Sequence, residues 1–304
     1  MGAHPLYSVD VSLEVEGWGE SDTWRHEFGF RDIESHIDPH SNARTFSVNG
    51  CPLFVRGGNW IVSDAMLRLS RKRYETEVAF HADAHLNMIR VWGGALAERP
   101  SLYSACDRRG LLVWQELWIT GDCNGRGIPP SHNSWPLDHP LYLACVRDTV
   151  KMLRNHASLA LWVGGNEVIP APDLNDRLVR DFALSPPFPL ADPTLALDGT
   201  RLYIPGSLWG GLGAGDGSWS DGPYTIQNLE DYFSPHFYQY GFNPEIGSVG
   251  VPEAATIRST MPPDAWDIPK IQINENGRRW RCPIRPGTGT PTSPTPLLAK
   301  CPTR

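Results

Sequence analysis

From about residue 48 onward, short apolar runs alternate with stretches of helical periodicity, a pattern that restricts the chain to a parallel sheet built from βα units. The runs predict strands at Leu53–Trp60, Asn87–Trp92, Leu111–Glu116, Leu159–Asn166, Arg201–Gly206, Pro223–Ile226 and Tyr238–Ile246. Between them, residues 70–86 place Tyr74, Val78, Ala82 and Leu86 at helical spacing. Residues 139–155 place Leu141, Cys145, Val146, Thr149, Val150 and Leu153 on one stripe. Gly110, just before the third run, is a helix C-cap candidate. Seven βα units are one short of closure, so the expected fold is α/β, an incomplete TIM (β/α)8 barrel. The 304 residues are enough for it, since such barrels take about 250.

Residues 6–15 differ. Leu6, Val9, Val11, Leu13 and Val15 alternate with Ser8, Asp10, Ser12 and Glu14 at the period of a half-buried strand, and Trp24, Phe28 and Phe30 continue in that vein. Two or three strands cannot bury a face by themselves and leave open edges. Residues 1–47 therefore read as the last strands of a β-sandwich whose beginning is missing, and 48–269 as the barrel without its last βα unit. After Pro269 the composition breaks: residues 270–304 hold seven Lys or Arg, one acidic residue and six prolines without periodicity, an expected unstructured tail.

The formal charge of −7 and the lack of a basic stripe in the main body argue against a nucleic-acid partner. No apolar run approaches the roughly 20 residues of a membrane span. The N-terminus reads as strand rather than as a secretory signal, and there is no Asn-x-Ser/Thr sequon. Six scattered cysteines without metal-ligand spacing read as buried thiols in a reducing compartment, so an intracellular setting is the expectation. No metal or cofactor is called for. His81 and His85, four apart, lack the accompanying Glu of a zinc helix, and His236 stands alone.

Catalytic groups in such barrels sit at the carboxyl ends of the strands. Glu167 stands there, closing the run LALWVGGNE, in which the two glycines let the backbone turn at the rim. Alone, a glutamate after a strand is more often a helix N-terminal charge. Glu245, in FNPEIGS at the end of the seventh predicted strand, follows three βα units later. Glycoside hydrolysis needs two carboxyl groups flanking the scissile bond, about 5–5.5 Å apart for retention and roughly 6.5–9.5 Å for inversion. One must be protonated while the other is ionised. Twelve tryptophans add flat faces suited to sugar rings, core packing being the plainer use of each.

The segments VNGCPLFVRGGNW, LNMIRVWGG, GLLVWQE, WVGGNE and FNPEIGSVGVP, taken in this order, resemble glycoside hydrolase family 2, and within it the β-mannosidases. The resemblance runs from about residue 5 to 269. It implies that residues 1–47 end an immunoglobulin-like domain and that the chain is a retaining hydrolase of β-mannosidic Man-β-1,4-GlcNAc linkages in N-glycan fragments. The expected partner is thus an oligosaccharide or glycopeptide. Glu167 is similar to the family's acid/base and Glu245 to its nucleophile. Asn166 then faces the sugar 2-hydroxyl, and Arg90 is similar to the arginine that holds the nucleophile ionised; a rim salt bridge is the alternative for Arg90. An opposite charge within ~4–6 Å lowers a carboxyl pKa by about 1–3 units.

Tyr224 is the candidate for the tyrosine such barrels place beside the nucleophile. Trp60, Trp92 and Trp118 fall at strand ends as a candidate sugar platform. Glu116 is a candidate hydroxyl ligand, with a buried salt bridge as the other reading. Two further functional readings stay open: a β-galactosidase- or β-glucuronidase-like relative, and a non-catalytic remnant.

Overall fold

A computed structural model describes residues 4–40, 43–120, 136–181, 197–207, 230, 233, 242–247 and 252–262. The chain divides into two compact units, Met1–Val249 and Gly250–Arg304. In the second, the described residues form a short helix, α5 (Ala254–Thr260). The rest of this description concerns the first.

Its centre is a parallel sheet of five strands. These are β6 (Gly57–Trp60), β7 (Met88–Val91), β8 (Leu112–Glu116), β9 (Leu159–Val163) and β10 (Leu202–Ile204), lying side by side in chain order. Four helices follow the first four strands: α1 (Arg71–Asp83), α2 (Pro100–Arg109), α3 (His139–Leu153) and α4 (Pro172–Asp181). Three of these helix ends have a clear local cause. The Ser70 hydroxyl accepts from the Arg73 N–H and the Asp138 carboxylate from the Leu141 N–H, while Gly110 ends α2 in the left-handed conformation expected of it.

Because side chains alternate along a strand, the sheet has two different faces. One carries Trp60, Ile89, Val91, Val113, Trp162 and Tyr203 against the helices, where Tyr74, Leu102, Val146 and Leu174 complete the core. The opposite face carries Met88, Leu112, Trp114, Leu161, Val163 and Ile204. Phe46 covers part of that second face. It comes from a three-stranded antiparallel sheet, β3 (Ile33–Asp38), β4 (Ala43–Val48) and β5 (Cys51–Leu53). Burying a side chain of this size contributes roughly 1.5–3 kcal/mol each.

Several sequence expectations change. The first predicted strand, Leu53–Trp60, is two elements, because Asn87 interrupts it. Its Oδ1 accepts from the Arg56 N–H at 2.8 Å and its Nδ2 donates to the Phe54 carbonyl at 2.8 Å, replacing ladder bonds between β5 and β6. The N-terminal alternation does form an antiparallel hairpin, β1 (Tyr7–Val15) with β2 (Gly19–Phe28). The stripe is not half-buried, however: Val11 is 50% and Leu13 59% exposed among the described residues. On α3 the stripe is shifted, with Tyr142 buried while Leu141 and Cys145 face out.

Of the cysteines, Cys106 is buried as expected, whereas Cys51 and Cys145 are exposed thiols. Within the seventh predicted strand, residues 242–246 are bends and coil; Pro244 has no N–H to give a ladder, and the Asn243 side chain accepts from the Glu245 N–H at 3.0 Å. The strand predicted at 223–226 and the tail 270–304 lie outside the described residues. Among the described residues no helix is long and apolar enough to cross a membrane.

The segment before β10 is tied to β9 through a buried polar knot. Asp198 accepts from Trp162 Nε1 at 3.0 Å on β9 and from Arg201 Nη1 at 2.8 Å, just before β10. Burial works against its charge, and Arg201, with Trp162 and Thr200, outweighs burial and holds the carboxyl below its usual range. Asp198→Ala would leave Arg201 buried without its counter-charge. A loss of about 3–5 kcal/mol is expected in urea unfolding, and a loss below 1 kcal/mol would show the pair to be dispensable.

Candidate active site

The carboxyl ends of the parallel strands converge on Arg90, a buried guanidinium on β7 with its side chain 4% exposed. A buried charge must find partners, and Arg90 has them on four sides. Its Nε donates to Glu116 Oε1 at 2.8 Å, and Nη2 lies 2.8 Å from the same oxygen. Nη2 also donates to Asn166 Oδ1. Nη1 is shared at 3.3 Å among Asn59 Oδ1, the Pro244 carbonyl and Glu245 Oε2. Its fork lies over the Trp114 ring, 5.2 Å from the centroid. Burial works against the charge, but Glu116 and then Glu245 more than offset it, so the guanidinium pKa stands above its usual value.

Register explains the convergence. Asn59 on β6 is the direct partner of Arg90 on β7, and Arg90 of Trp114 on β8, so all three project from the face opposite the helices. Glu116, two residues after Trp114, shares that face. Both its oxygens are taken, one by Arg90 and the other by the Gly93 N–H at 2.6 Å, and burial pushes its carboxyl up against the pull of Arg90. The structure thus corrects the reading of Glu116 as a hydroxyl ligand: it is the buried ion partner of Arg90.

Asn166 and Glu167 are set by the turn after β9. Gly164 passes so close to the next strand that a Cβ there would lie 2.3 Å from the Pro205 carbonyl, and only glycine fits. The backbone is then bonded on both sides. Asn166 N–H reaches the Ile119 carbonyl at 2.8 Å, and the Ser207 N–H reaches the Gly165 carbonyl at 2.9 Å. Glu167 itself has φ +53°, the left-handed region, and its N–H donates to Ser207 Oγ at 2.8 Å. It is half-buried and directly follows Asn166 in the chain.

Glu245 reaches the same cluster from far along the chain. Phe242 packs its ring against Trp114 and Phe46, centroids 5.7 and 5.6 Å away, and anchors the segment to the inner face of the sheet. Three residues on, Glu245 Oε1 accepts from Asn59 Nδ2 at 3.1 Å and Oε2 from Arg90.

The structure therefore brings Arg90, Glu116, Asn166 and Glu245 together, with Glu167 next to Asn166 in the chain. The tryptophans fare differently. Trp60 lies on the helix face of β6, 4% exposed, its Nε1 donating to buried Glu98 at 2.8 Å and its ring against Tyr74, so the platform expectation is corrected to core packing. Trp118 is half-buried and meets Tyr142 of α3 edge-on at 6.2 Å. Trp92, half-buried at the end of β7, lies directly over Gly94, where a Cβ would be 1.9 Å from its ring. Tyr224 lies outside the described residues. Sequence reasoning passed over Asn59 and Ser207. Asn59 was within reach, since it sits in the GGNW stretch at the end of the first strand.

No family model matches the chain. It is 59% identical over 291 residues to a mannosylglycoprotein endo-beta-mannosidase of Lilium longiflorum, a match covering 91% of this chain and 30% of the relative. In structure it is similar to an exo-chitosanase of Amycolatopsis orientalis, with TM-score 0.67 and 22% identity over 87% of this chain and 30% of that one. It is also similar to a beta-D-mannosidase of Dictyoglomus thermophilum, with TM-score 0.57 and 25% identity over 85% and 32%. The chain thus spans about 30% of the length of this curated relative.

The placement of Trp60 is testable. Trp60→Phe removes the donor to buried Glu98 and should cost about 1–3 kcal/mol in denaturant unfolding, without changing affinity for a sugar bound at the Glu245 end. A selective loss of sugar affinity would return Trp60 to the pocket.

Proposed function

We propose that this chain, which is related by sequence to the β-mannosidases of glycoside hydrolase family 2, carries the catalytic centre of a retaining β-mannosidase acting on oligosaccharides or glycopeptides with a Man-β-1,4-GlcNAc linkage. The observation that carries this reading is the Arg90 cluster, which joins Glu245 to the Asn166–Glu167 pair although 78 residues separate the two glutamates. Five adjacent parallel strands in chain order, with helices on one face, support reading this unit as part of a (β/α)8 barrel. The antiparallel strands before it are read as the end of an immunoglobulin-like domain.

In this mechanism a Glu245 oxygen attacks the anomeric carbon of the mannosyl unit. The bond from that carbon to the leaving oxygen breaks, and Glu167 transfers its proton to that oxygen. Water then enters: its oxygen bonds the anomeric carbon, its proton returns to Glu167, and the Glu245 ester is released. Two features of the site suit these roles. Glu245 is gripped at both oxygens, by an amide and a cation, which holds its carboxyl group in place for attack. Glu167 keeps its backbone fixed by Ser207 and bears its carboxyl on the neighbour of Asn166, the residue proposed to meet the sugar 2-hydroxyl.

Glu245→Ala should lower hydrolysis of a Man-β-1,4-GlcNAc glycopeptide by at least about 10⁴-fold, in the manner of losses seen when a nucleophile is removed. Glu167→Ala should retain turnover of an aryl mannoside with a good leaving group, because that departure needs no proton, and azide should accelerate it. Equal rates for wild type and Glu245→Ala would end the assignment.

A further inference from the structure

We infer that Asn59, rather than Arg90, positions the Glu245 carboxylate for attack, with Arg90 supplying the charge; this rests on the proposed role of Glu245 as nucleophile. Arg90 has little left to spare for Glu245. Its close contacts go to Glu116, at 2.8 Å, and to Asn166. What remains for Glu245 is one Nη1 group at 3.3 Å, divided among three acceptors that all lie at that distance. A donor shared three ways sets the local potential but fixes no rotamer, since hydrogen bonds weaken as they lengthen and bend. The shorter bond to the Glu245 side chain comes from Asn59 Nδ2, at 3.1 Å.

The amide has a single workable orientation. Asn59 Oδ1 accepts from Arg90 Nη1 while Nδ2 donates to Glu245 Oε1. Turned over, it would set an oxygen against a carboxylate and an NH2 against a guanidinium, both unfavourable, so the surrounding charges choose the assignment. The backbone beneath is fixed by pairing: Asn59 and Arg90 are register partners on adjacent parallel strands, and the peptide N–H of Trp92 closes the end of that pair on the Trp60 carbonyl at 3.3 Å. Asn59 is thus a rigid bridge, tied at one end to a buried cation and at the other to Glu245. It is a positioning residue, acting through the nucleophile rather than on substrate.

The test uses the 304-residue chain and a 2-deoxy-2-fluoro-β-mannosyl fluoride, which esterifies the nucleophile and turns over slowly, with labelling followed by intact-protein mass. In wild type the label should appear on Glu245. Asn59→Ala should slow the labelling step by about 10²-fold, comparable to loss of one preorganised donor, while the reagent's apparent binding constant stays within twofold. Asn59→Asp provides a second reading that a purely structural role would not give. Ionised, its carboxylate faces Glu245 and repels it; protonated, it donates as the amide did. The labelling rate of Asn59→Asp relative to wild type should therefore rise as pH is lowered from 7 to 5, the other charged groups facing the pair being Arg90 and Glu116. Cooperative thermal unfolding of each variant guards against misfolding.

No labelling of Glu245 in wild type would overturn the nucleophile reading and this inference with it. Labelling of wild type together with an unchanged rate in Asn59→Ala, or a pH-independent ratio for Asn59→Asp, would overturn the inference alone.

Discussion

A guanidinium buried beneath the mouth of a parallel sheet has to be neutralised, and the site is organised around that demand. Arg90 takes a full carboxylate, Glu116, from the neighbouring strand, and both are nearly inaccessible to water. Removing either partner of such a pair costs about 3–5 kcal/mol because the other charge is left stranded. The pair nevertheless leaves donors unspent. Those donors face Asn59, Asn166 and Glu245, which arrive on β6, after β9 and from a distant loop respectively. One charge thus gives four separate segments a reason to meet.

The same demand explains why the two faces of the sheet differ so sharply. Apolar side chains pointing toward the helices need only volume and shape, and Trp60, Trp162 and Tyr203 fill that side. On the other side the apolar layer of Leu112, Leu161 and Ile204 is covered in part by Phe46 and gives way, toward the strand ends, to Asn59, Arg90 and Glu116. The polar residues are tolerated there because each is bonded to another of them.

Much of this was legible in the amino-acid sequence, for identifiable reasons. The buried parallel strands are near-continuous apolar runs, so β7, β8 and β9 were expected to within a few residues. The expected meeting of Arg90 and Glu245 came from the family resemblance, and the geometry places them 3.3 Å apart. What could not be read was direction. Trp60 and Asn59 are adjacent, and only the pleat decides that the asparagine enters the site while the indole turns to the helices. Nor does periodicity reveal a side chain that substitutes for backbone pairing, which is how Asn87 split one predicted strand into two. The hairpin at the N-terminus shows the limit of alternation: the pattern specified strands correctly but not what their apolar side packs on.

Glu167, beside Asn166, has a left-handed backbone, at φ +53°. For an L-residue that conformation costs about 1–2 kcal/mol, and glycine would adopt it without the cost. Glycine has no carboxyl group. Under the proposed acid/base role, then, the demands of folding and of chemistry select different amino acids at this position, and substitutions there that make the protein more robust are the ones that remove the proposed acid.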